Sequence, residues 1–404
     1  MKVAVDLLLG GSPCQGFSFA GKHLNFNDPR SRLFFDYVKA LKILKPKYFL
    51  LENVKMKKEY EKVITELLGV EPIEINSALV SAQNRRRLYW TNIQNITQPQ
   101  DKGILLKDIL EKEVDEKYCL KQEYVEKNIV YKNQEIKGLG QCEMIDDKKK
   151  ASLFIKIAML GNGGQGQKVY SPEGKSVSLT ALGGGPGAKT GLYAIAQRGR
   201  HIVDGKRIDI LGAKTAQRME TIFSEKSNTI TSVQKDSLIL DTKNYMIRKL
   251  TPIECERLQT LPDNYTAGIS NTQRYKMLGN GWTVDVIAHI LSFIPEKQLP
   301  VVVSLFDGIS CGQVALERAG KTYKRYYASE IDKYAIQITK KNYPHTIQLG
   351  DITKIDWDDF IKTIDAETKA DGSEKLEDVL DRIDWLGATK IIVAKPESKK
   401  DDQR

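Results

Sequence analysis

The chain has 404 residues, of which 41% are hydrophobic and 28% charged, and its formal net charge is +10. This length can bury the cores of two or three domains, and the composition is that of a soluble globular protein. No apolar run approaches the roughly 20 residues that cross a bilayer, so the sequence predicts no membrane association. Asp6 interrupts the apolar start of the chain, which therefore indicates a buried strand and not a signal peptide.

The net charge indicates the class of binding partner, and the cysteine content indicates the cellular compartment. The basic excess favours a polyanionic partner such as nucleic acid, although charge alone does not decide this. Acidic residues crowd the stretch 351–384, so the rest of the chain is more basic than the total suggests. The five cysteines contain no C-x-x-C pair, which argues against a structural metal site and for a reducing compartment. We expect a cytoplasmic protein that holds no metal.

The first part of the chain, residues 1–95, alternates short apolar strands with helical segments. The pattern predicts strands over residues 3–9 and 48–51, with a helix between them that starts at Leu33 and that Pro46 closes. Continuously apolar strands between helices are typical of a parallel sheet that is covered on both faces. The predicted fold class is therefore α/β, with a doubly wound and mostly parallel sheet.

Residues 96–246 differ in composition from what precedes them, with many Gly, Lys, Gln, Ser and Thr residues. Short alternating strands and frequent turns predict a smaller β-rich domain inserted into the α/β domain. The α/β character returns over residues 247–355, where Thr251, Pro252 and Glu254 form a helix-capping pattern.

The end of the chain contains one more strand and a tail. A helix is predicted over residues 283–293, and the loop 295–300 leads from it into a strand over residues 301–305. Residues 356–404 form an acidic tail, in which 365–373 is predicted to be a linker. An amphipathic helix is predicted beyond the linker from the helical spacing of Leu376, Val379, Leu380, Ile383 and Leu386.

The strand before Phe306 leads into features of a nucleotide-cofactor site. Gly308 and Gly312 follow in a turn, where glycine lets the backbone approach a ligand closely. Glu330 ends the next strand about twenty residues later, the spacing at which an acid binds ribose hydroxyls in such folds. A third loop, Gly350-Asp351-Ile352, follows at another strand end. Together these features predict a cofactor that contains adenosine.

The candidate reacting groups lie in the first part of the chain. Cys14 follows a glycine-rich turn after a strand, where a thiol in electropositive surroundings becomes a nucleophile. Glu52 ends the next strand and could give a proton to a ring nitrogen in the same crevice. In the run 83–87, alternation predicts that Arg85 and Arg87 point together and that the residue between them points away. Taken singly, each charged group is more readily interpreted as a solvated surface residue, because charged side chains usually lie at the surface.

These motifs together resemble the cytosine-5 DNA methyltransferases, which use S-adenosylmethionine. The resemblance covers most of residues 1–355 and combines many motifs, which makes it specific. In the family's numbering of motifs, the first to third are Phe306-Asp307-Gly308-Ile309-Ser310-Cys311-Gly312, Ser329-Glu330-Ile331-Asp332 and Gly350-Asp351-Ile352-Thr353. The fourth, sixth, eighth, ninth and tenth are Pro13-Cys14-Gln15, Glu52-Asn53-Val54, Gln83-Asn84-Arg85-Arg86-Arg87, the stretch 248–259 and Gly279-Asn280-Gly281.

The order of these motifs departs from that of the family. Here the fourth motif opens the chain, and the first three follow the tenth. We interpret this order as a circular permutation that keeps the fold. The interpretation requires that the helix after the tenth motif ends near the strand of the first motif, because the loop 295–300 is short.

The resemblance implies methylation of carbon 5 of a cytosine that is flipped out of double-stranded DNA at a specific short sequence. Cys14 would attack carbon 6 as a thiolate, and Glu52 would protonate or hydrogen-bond N3. Arg87 would hold the O2 edge, and Arg85 would position the catalytic loop or phosphates. Further DNA contacts are expected from Gln15, Ser18 and Gln83.

The resemblance also implies the roles of the remaining segments and site residues. Residues 1–95 and 247–355 would form an S-adenosylmethionine-dependent methyltransferase domain, and residues 96–246 its target-recognition domain. Phe306 would stack on adenine, Glu330 would hold the ribose and Asp351 the adenine amino group. The other expected cofactor contacts are Gly308, Gly312, Ile331, Ile352, Asn280 and Gly281.

Partners and alternatives follow from the same resemblance. We expect a monomer that acts on double-stranded DNA in a prokaryotic or phage-like setting, with a cognate restriction endonuclease as a candidate partner. One alternative keeps the chemistry but moves it to tRNA, since one branch of the family methylates RNA. Another is a DNA-binding relic without catalysis, although Pro13, Cys14, Glu52 and Arg87 are all present.

Overall fold

The structure is a computed structural model. Contacts divide the chain into two compact units, Val3–Lys354 and Ile355–Arg404. The residues that it describes are 5–13, 32–130, 156–160, 168–170, 172, 174–179, 192–200, 202–203, 206–207, 216–219 and 245–370.

The strands and helices follow the predicted alternation. The strands are β1 (Leu7–Gly10), β2 (Tyr48–Val54), β3 (Ile73–Asn76), β4 (Arg86–Thr91), β5 (Ile129–Val130), β6 (Lys156–Leu160), β7 (Lys168–Tyr170), β8 (Leu192–Arg200), β9 (Ile202–Val203), β10 (Lys206–Arg207), β11 (Ala216–Met219), β12 (Tyr245–Arg248), β13 (Val301–Leu305), β14 (Arg325–Ser329) and β15 (Ile347–Gln348). The α-helices are α1 (Leu33–Leu44), α2 (Lys58–Leu68), α3 (Leu106–Ile109), α4 (Gln122–Asn128), α5 (Pro252–Leu258), α6 (Asn271–Asn280), α7 (Val284–Ser292), α8 (Cys311–Arg318), α9 (Lys333–Asn342) and α10 (Trp357–Ala370).

A mostly parallel sheet forms the centre of the first unit. Among the described strands, seven join in the order β15-β14-β13-β1-β2-β4-β3. The first five of these are parallel to one another, whereas β4 is antiparallel to both β2 and β3. Every residue of β1, β13 and β14 is buried, as expected for strands covered on both faces. The predicted α/β class with a mostly parallel sheet is confirmed.

The central pairing joins parts of the chain that lie far apart in sequence. β1 pairs with β13 in parallel, so that Gly10 lies opposite Leu305. Asp6, which interrupts the apolar start of the chain, accepts a hydrogen bond from the Val301 amide through its carboxylate at 2.8 Å. The Asp6 amide in turn donates to the Val301 carbonyl. This double contact sets the register in which the two strands begin.

The loop 295–300 makes the short connection between α7 and β13 that was predicted. Glu296 accepts hydrogen bonds from Lys47 and from the Tyr48 hydroxyl, both near the start of β2. The Leu299 amide donates to the Thr322 carbonyl at 2.8 Å. The end of α7 therefore leads directly to the start of β13.

The capping pattern at Thr251 is present, and it is reinforced by a buried ion pair. The Thr251 side chain accepts from the Glu254 amide, and the Glu254 carboxylate accepts from the Thr251 amide. Each carboxylate oxygen of Glu254 also accepts a hydrogen bond from the Arg248 guanidinium at 2.7 Å. The side chains of Arg248 and Glu254 are almost fully buried. Because Arg248 ends β12, this pair fixes the end of that strand on the first turn of α5.

The middle region contains a second sheet and a segment that packs on the first. Among the described strands, β11-β8-β7-β6-β5 form a sheet to which β12 adds beside β8. Residues 174–179 pair instead with the segment before β4, where the Ser176 amide donates to the Ala82 carbonyl at 2.7 Å. Lys175 is 1% exposed, and its ammonium donates to the carbonyls of Ala78, Ser81 and Ile104.

The second unit differs from the prediction at its start. Residues 365–373 were predicted to be a linker, but α10 continues through Ala370. The buried positions Trp357, Phe360, Ile364 and Glu367 recur at helical spacing, so the buried face of α10 reaches into the predicted linker. The predicted helix beyond residue 373 lies outside the described residues.

Glu254→Gln should lower the free energy of unfolding by about 3 kcal/mol, because it leaves the buried Arg248 guanidinium without its counter-charge. Urea unfolding followed by circular dichroism measures the change. The matched control is Glu66→Gln in the exposed Lys62–Glu66 pair, where the expected change is within about 0.5 kcal/mol. Equal changes in the two variants would contradict the structural role given to the buried pair.

Candidate functional site

The sheet has a topological switch point between β1 and β13. From β13 the chain crosses to β14 on one side, whereas from β1 it crosses to β2 on the other side. In open α/β sheets the crevice outside the carboxyl ends of such strands is where ligands bind. The turn Gly10–Pro13 and the loop Phe306–Gly312 flank this crevice, so the predicted reacting and cofactor segments meet there.

The turn that leads to Cys14 is tightly held. The Asn53 side chain, which is 1% exposed, donates to the Ser12 hydroxyl at 3.1 Å. Its own carbonyl oxygen accepts from the Val54 amide at 2.8 Å. Asn53 thus ties the end of β2 to the turn after β1, a role that the sequence did not reveal. Cys14, Gln15 and Ser18 themselves lie outside the described residues.

Glu52 and Arg87 form an ion pair at the carboxyl end of β2. The Arg87 Nε lies 3.0 Å from a Glu52 carboxylate oxygen, and the two side chains are 15% and 12% exposed. In the antiparallel pairing of β2 with β4, Glu52 lies opposite Tyr89 and Arg87 lies opposite Val54. The two charged groups are therefore diagonal neighbours on one face of the sheet, close to Tyr89.

The three consecutive arginines divide as alternation predicted. Arg86 is exposed and pairs with Glu74, whereas Arg85 and Arg87 both lie near Tyr89. Arg85 is 4% exposed and precedes β4, so it points into the protein. Its guanidinium donates to backbone carbonyls of two distant segments, with the acceptors Leu179, Gly279 and Gly281 at 3.1 to 3.3 Å. Arg85 therefore holds these two segments together through hydrogen bonds to their backbone carbonyls.

Gln83 occupies a different place from the DNA contact that was predicted for it. Its side chain is fully buried, and its amide nitrogen donates to the Leu258 carbonyl and to the Gln259 side chain, both at 3.2 Å. Its carbonyl oxygen accepts from the Leu179 amide at 2.9 Å. Because both ends of the amide are bonded within the chain, Gln83 joins the middle region to the segment after α5.

The loop after β13 has the strained backbone of a ligand-binding turn. Phe306, Gly308 and Ser310 have φ values of 58°, 61° and 58°. These values lie in the left-handed region, which glycine adopts without strain and the other two residues do not. Asp307 is buried between them and accepts hydrogen bonds from Ser310 and from the Tyr326 hydroxyl. Burial raises the pKa of Asp307 to about 6 despite these hydrogen bonds.

Glycine is present at position 312 for a steric reason. A Cβ atom built there would lie 2.6 Å from the Tyr326 hydroxyl oxygen and 2.9 Å from a methyl group of Leu9. The first turn of α8 therefore passes close to both β14 and β1. This approach brings the amino end of the helix against the strands that flank the crevice.

Glu330 is placed where a ribose-binding acid was predicted, directly after β14. One carboxylate oxygen accepts from the Gly308 amide at 2.8 Å, and the other accepts from the amides of Ile331 and Asp332 at 2.8 Å. A carboxylate has about four acceptor sites, so these three amides leave capacity for one hydroxyl donor. The Ile331 side chain is 72% exposed beside it, which fits a surface that a planar ligand covers.

The other residues that were predicted to bind the cofactor differ from one another in exposure and in hydrogen bonding. The Asp351 carboxylate accepts from the amide and hydroxyl of Thr353, and so closes its own loop. Ile352 is only 5% exposed and packs inward. Asn280 ends α6 with an exposed side chain, and the Gly281 carbonyl accepts from Arg85 and Gln259. Glycine loop, acid and exposed apolar side chain together fit an adenosine-containing group.

The three cysteines that the structure describes, Cys119, Cys255 and Cys311, are poor nucleophiles. Burial raises the pKa of Cys311 to about 12 and that of Cys255 well above its usual range. Burial also raises the pKa of Cys119. Thiolate is the reactive form, so these three thiols are almost entirely unreactive near neutral pH.

Across residues 5–370, gaps excepted, no helix is both long and apolar enough to cross a membrane. The same residues contain no group of three or more His, Cys, Asp or Glu side chains arranged to hold a metal ion.

Comparison with known proteins identifies the family. The family model described as C-5 cytosine-specific DNA methylase matches residues 1–296 and 301–368. The chain belongs to this family. It is therefore a DNA cytosine-5 methyltransferase, and it requires a methyl donor.

Individual methyltransferases agree with this assignment. Orphan methyltransferase M.SPRI of Bacillus phage SPR is 30% identical over 365 residues, which cover 70% of this chain and 81% of that protein. Type II methyltransferase M.HpaII of Haemophilus parainfluenzae is 30% identical over 316 residues, covering 72% of each chain. Type II methyltransferase M.HhaI of Haemophilus parahaemolyticus is 27% identical over 304 residues, covering 70% of this chain and 74% of that protein.

Asp307→Asn should remove a pH dependence of stability. Because the folded state holds the Asp307 proton more tightly than the unfolded chain does, the contribution of Asp307 to the free energy of unfolding is largest below pH 4 and declines until the pH passes 6. Relative to Asp307→Asn, the wild type should lose about 2 kcal/mol between pH 4 and pH 7. Urea unfolding of both proteins at several pH values measures this, and a difference that stays constant with pH would contradict the raised pKa.

Proposed function

We propose that this methyltransferase methylates carbon 5 of a cytosine flipped out of double-stranded DNA, through a covalent adduct with Cys14. The observation that carries the proposal is the meeting of the turn before Cys14, the Glu52–Arg87 pair and the cofactor-type loop at one switch point. A cytosine inside the stack could not reach this crevice, which is why flipping is part of the proposal.

The residues of the crevice have separate roles in this chemistry. The Cys14 thiolate forms a bond to carbon 6, and a proton from Glu52 reaches N3, so that negative charge does not build up on the ring. Arg87 orients Glu52 across the 3.0 Å contact and would hold the O2 edge of the base. Once carbon 5 has taken the methyl group, its proton passes to solvent water and the Cys14 sulfur leaves as thiolate. N3 then returns its proton to Glu52, which restores both groups for the next cycle. Arg85 holds the surrounding backbone in place.

We further propose S-adenosylmethionine as the methyl donor, which supplies an electrophilic methyl group on its sulfonium. Glu330 would hold the ribose with its remaining acceptor capacity, and the exposed Ile331 would cover one face of the adenine. Phe306 and Asp351 lie on the two neighbouring loops at the same edge of the sheet. Gly308 and Gly312 allow the close approach of backbone to ligand in the first of these loops.

We propose that the chain is a circular permutation of the usual motif order. Four observations support this. The loop 295–300 joins α7 directly to β13, and the parallel pairing of β1 with β13 sets the fourth motif beside the first. The family model matches in two parts that meet at this loop. An alignment that follows chain order cannot include both parts of a permuted chain, and the three relatives cover only 70% to 72% of it.

We propose that residues 96–246 include the domain that reads the target sequence. The second sheet, formed by β5 to β8 with β11 and β12, supports this, since it is separate from the seven-stranded sheet of the crevice. The basic net charge suits DNA. A monomer remains our expectation, and a restriction endonuclease is a candidate partner because two of the relatives are named type II methyltransferases.

Cys14→Ser should abolish methyl transfer, because a hydroxyl is far less acidic than a thiol and forms the adduct too slowly. The measurement is transfer of labelled methyl from S-adenosylmethionine to unmethylated duplex DNA, with tRNA in parallel and bisulfite sequencing of the product. Cys255→Ser is the matched control and should retain transfer, because its thiol is buried and protonated. Full activity of Cys14→Ser would refute the covalent mechanism, and label in tRNA alone would refute the DNA substrate.

Restoring the usual motif order should preserve the enzyme. In a rearranged chain, residues 297–370 would precede residues 1–296 through a flexible linker, so that the buried Leu299 keeps its place before β13. Because the new ends lie in a surface loop, we expect folding and methyl transfer within about tenfold of the natural order. A control that cuts the chain inside β2 should fail to fold. If the rearranged chain folded no better than this control, the permutation would be rejected.

A further inference from the structure

Trp282 lies between the two segments that flank the crevice. It occupies the turn between α6 and α7, two residues after Asn280, and packs half-buried against the main hydrophobic core. The sequence motifs gave it no role. Its neighbours, however, are Gly11 in the turn that leads to Cys14 and Cys311 at the start of α8.

The Trp282 indole lies directly on the backbone of Gly11. A Cβ atom built on Gly11 would lie 2.9 Å from the indole Nε1 and 3.3 Å from two ring carbons. Real Cβ atoms are almost never found below 3.0 Å, so Trp282 leaves room for a hydrogen atom only. The φ angle of Gly11 is outside the left-handed region, and therefore space rather than conformation demands glycine there.

The Trp282 backbone lies beside the start of α8. Its amide faces the Cys311 sulfur and acts to lower the pKa of that thiol, against the larger effect of burial. The preceding Gly281 carbonyl accepts from Arg85 and from Gln259, both at 3.1 Å, and these two bonds hold the turn between α6 and α7. The indole thus projects from a backbone that is fixed on both sides.

The turn Gly10–Pro13 is consequently held from two directions. Asn53 bonds Ser12 from the β2 side, and the Trp282 ring covers Gly11 from the other side. On the basis of the function proposed above, we propose that Trp282 is a positioning residue for methyl transfer. It fixes the distance between the turn that carries Cys14 and the loop Phe306–Gly312.

The proposal predicts an effect on the chemical step more than on binding. A displacement of about 1 Å between reacting groups can cost about 100-fold in rate. Trp282→Ala should therefore lower kcat by about 10- to 100-fold. The KM for DNA and the dissociation constant of S-adenosylmethionine, measured by calorimetry, should each change less than about threefold.

A double-substitution cycle tests the contact itself. Gly11→Ala should lower kcat in the wild type, because the added methyl group meets the indole. In the Trp282→Ala background the same substitution should change kcat less than about threefold, because the methyl group then has space. Trp282→Phe, a smaller ring, should give a Gly11→Ala effect between these two, and it keeps the test available if Trp282→Ala folds poorly.

Gly10→Ala is the matched control. A Cβ atom on Gly10 would lie 2.5 Å from the Tyr37 ring, so its cost should remain unchanged in the Trp282→Ala background. Additive effects of Gly11→Ala and Trp282→Ala, or full kcat in Trp282→Ala, would overturn the proposal. An inactive wild type would instead count against the proposed function, whereas an active wild type with an equally active Trp282→Ala variant would count against the positioning role alone.

Discussion

The parallel pairing of β1 with β13 is the constraint on which the site depends. It brings the turn after Gly10 beside the loop after Leu305, although these segments lie near opposite ends of the chain. Asp6 and Val301 secure the start of the pairing through two hydrogen bonds. Since the crossovers leave β1 and β13 in opposite directions, the pairing also creates the crevice between them. Without it, the cysteine turn and the cofactor-type loop would belong to separate edges.

Buried cations stabilise the surroundings of this crevice in an uncommon way. Arg85 and Lys175 each donate to several backbone carbonyls that come from different segments. Burying a charge costs free energy unless hydrogen bonds satisfy it, and a group of carbonyl oxygens does so here. Burial nevertheless lowers the pKa of Lys175, which shows that the compensation is incomplete. The hydrogen bonds of Lys175 to Ala78 and Ser81 nevertheless bind residues 174–179 to the segment before β4.

The predictable part of the site consists of residues whose position follows from local pattern. Glu52 ends β2 and Glu330 follows β14, as the apolar strands before them predicted. Arg85 and Arg87 lie near Tyr89 while Arg86 is exposed, as alternation predicted. What pattern could not give was the partner of each group. Gln83 is the clearest example, since the family resemblance implied a DNA contact and could not reveal its partners within the chain, which are Leu179, Leu258 and Gln259.

The sequence by itself determined the α/β class, the capped start of α5 and the family, because periodicity, capping and motif chemistry are local properties of the chain. The tertiary structure alone decided which residues enclose the crevice. Glycine at position 11 is required by the Trp282 ring, and the order of the turn before Cys14 depends on Asn53. These contacts join residues that are remote in sequence, and only the packing of β1, β2 and β13 in one sheet brings them within reach.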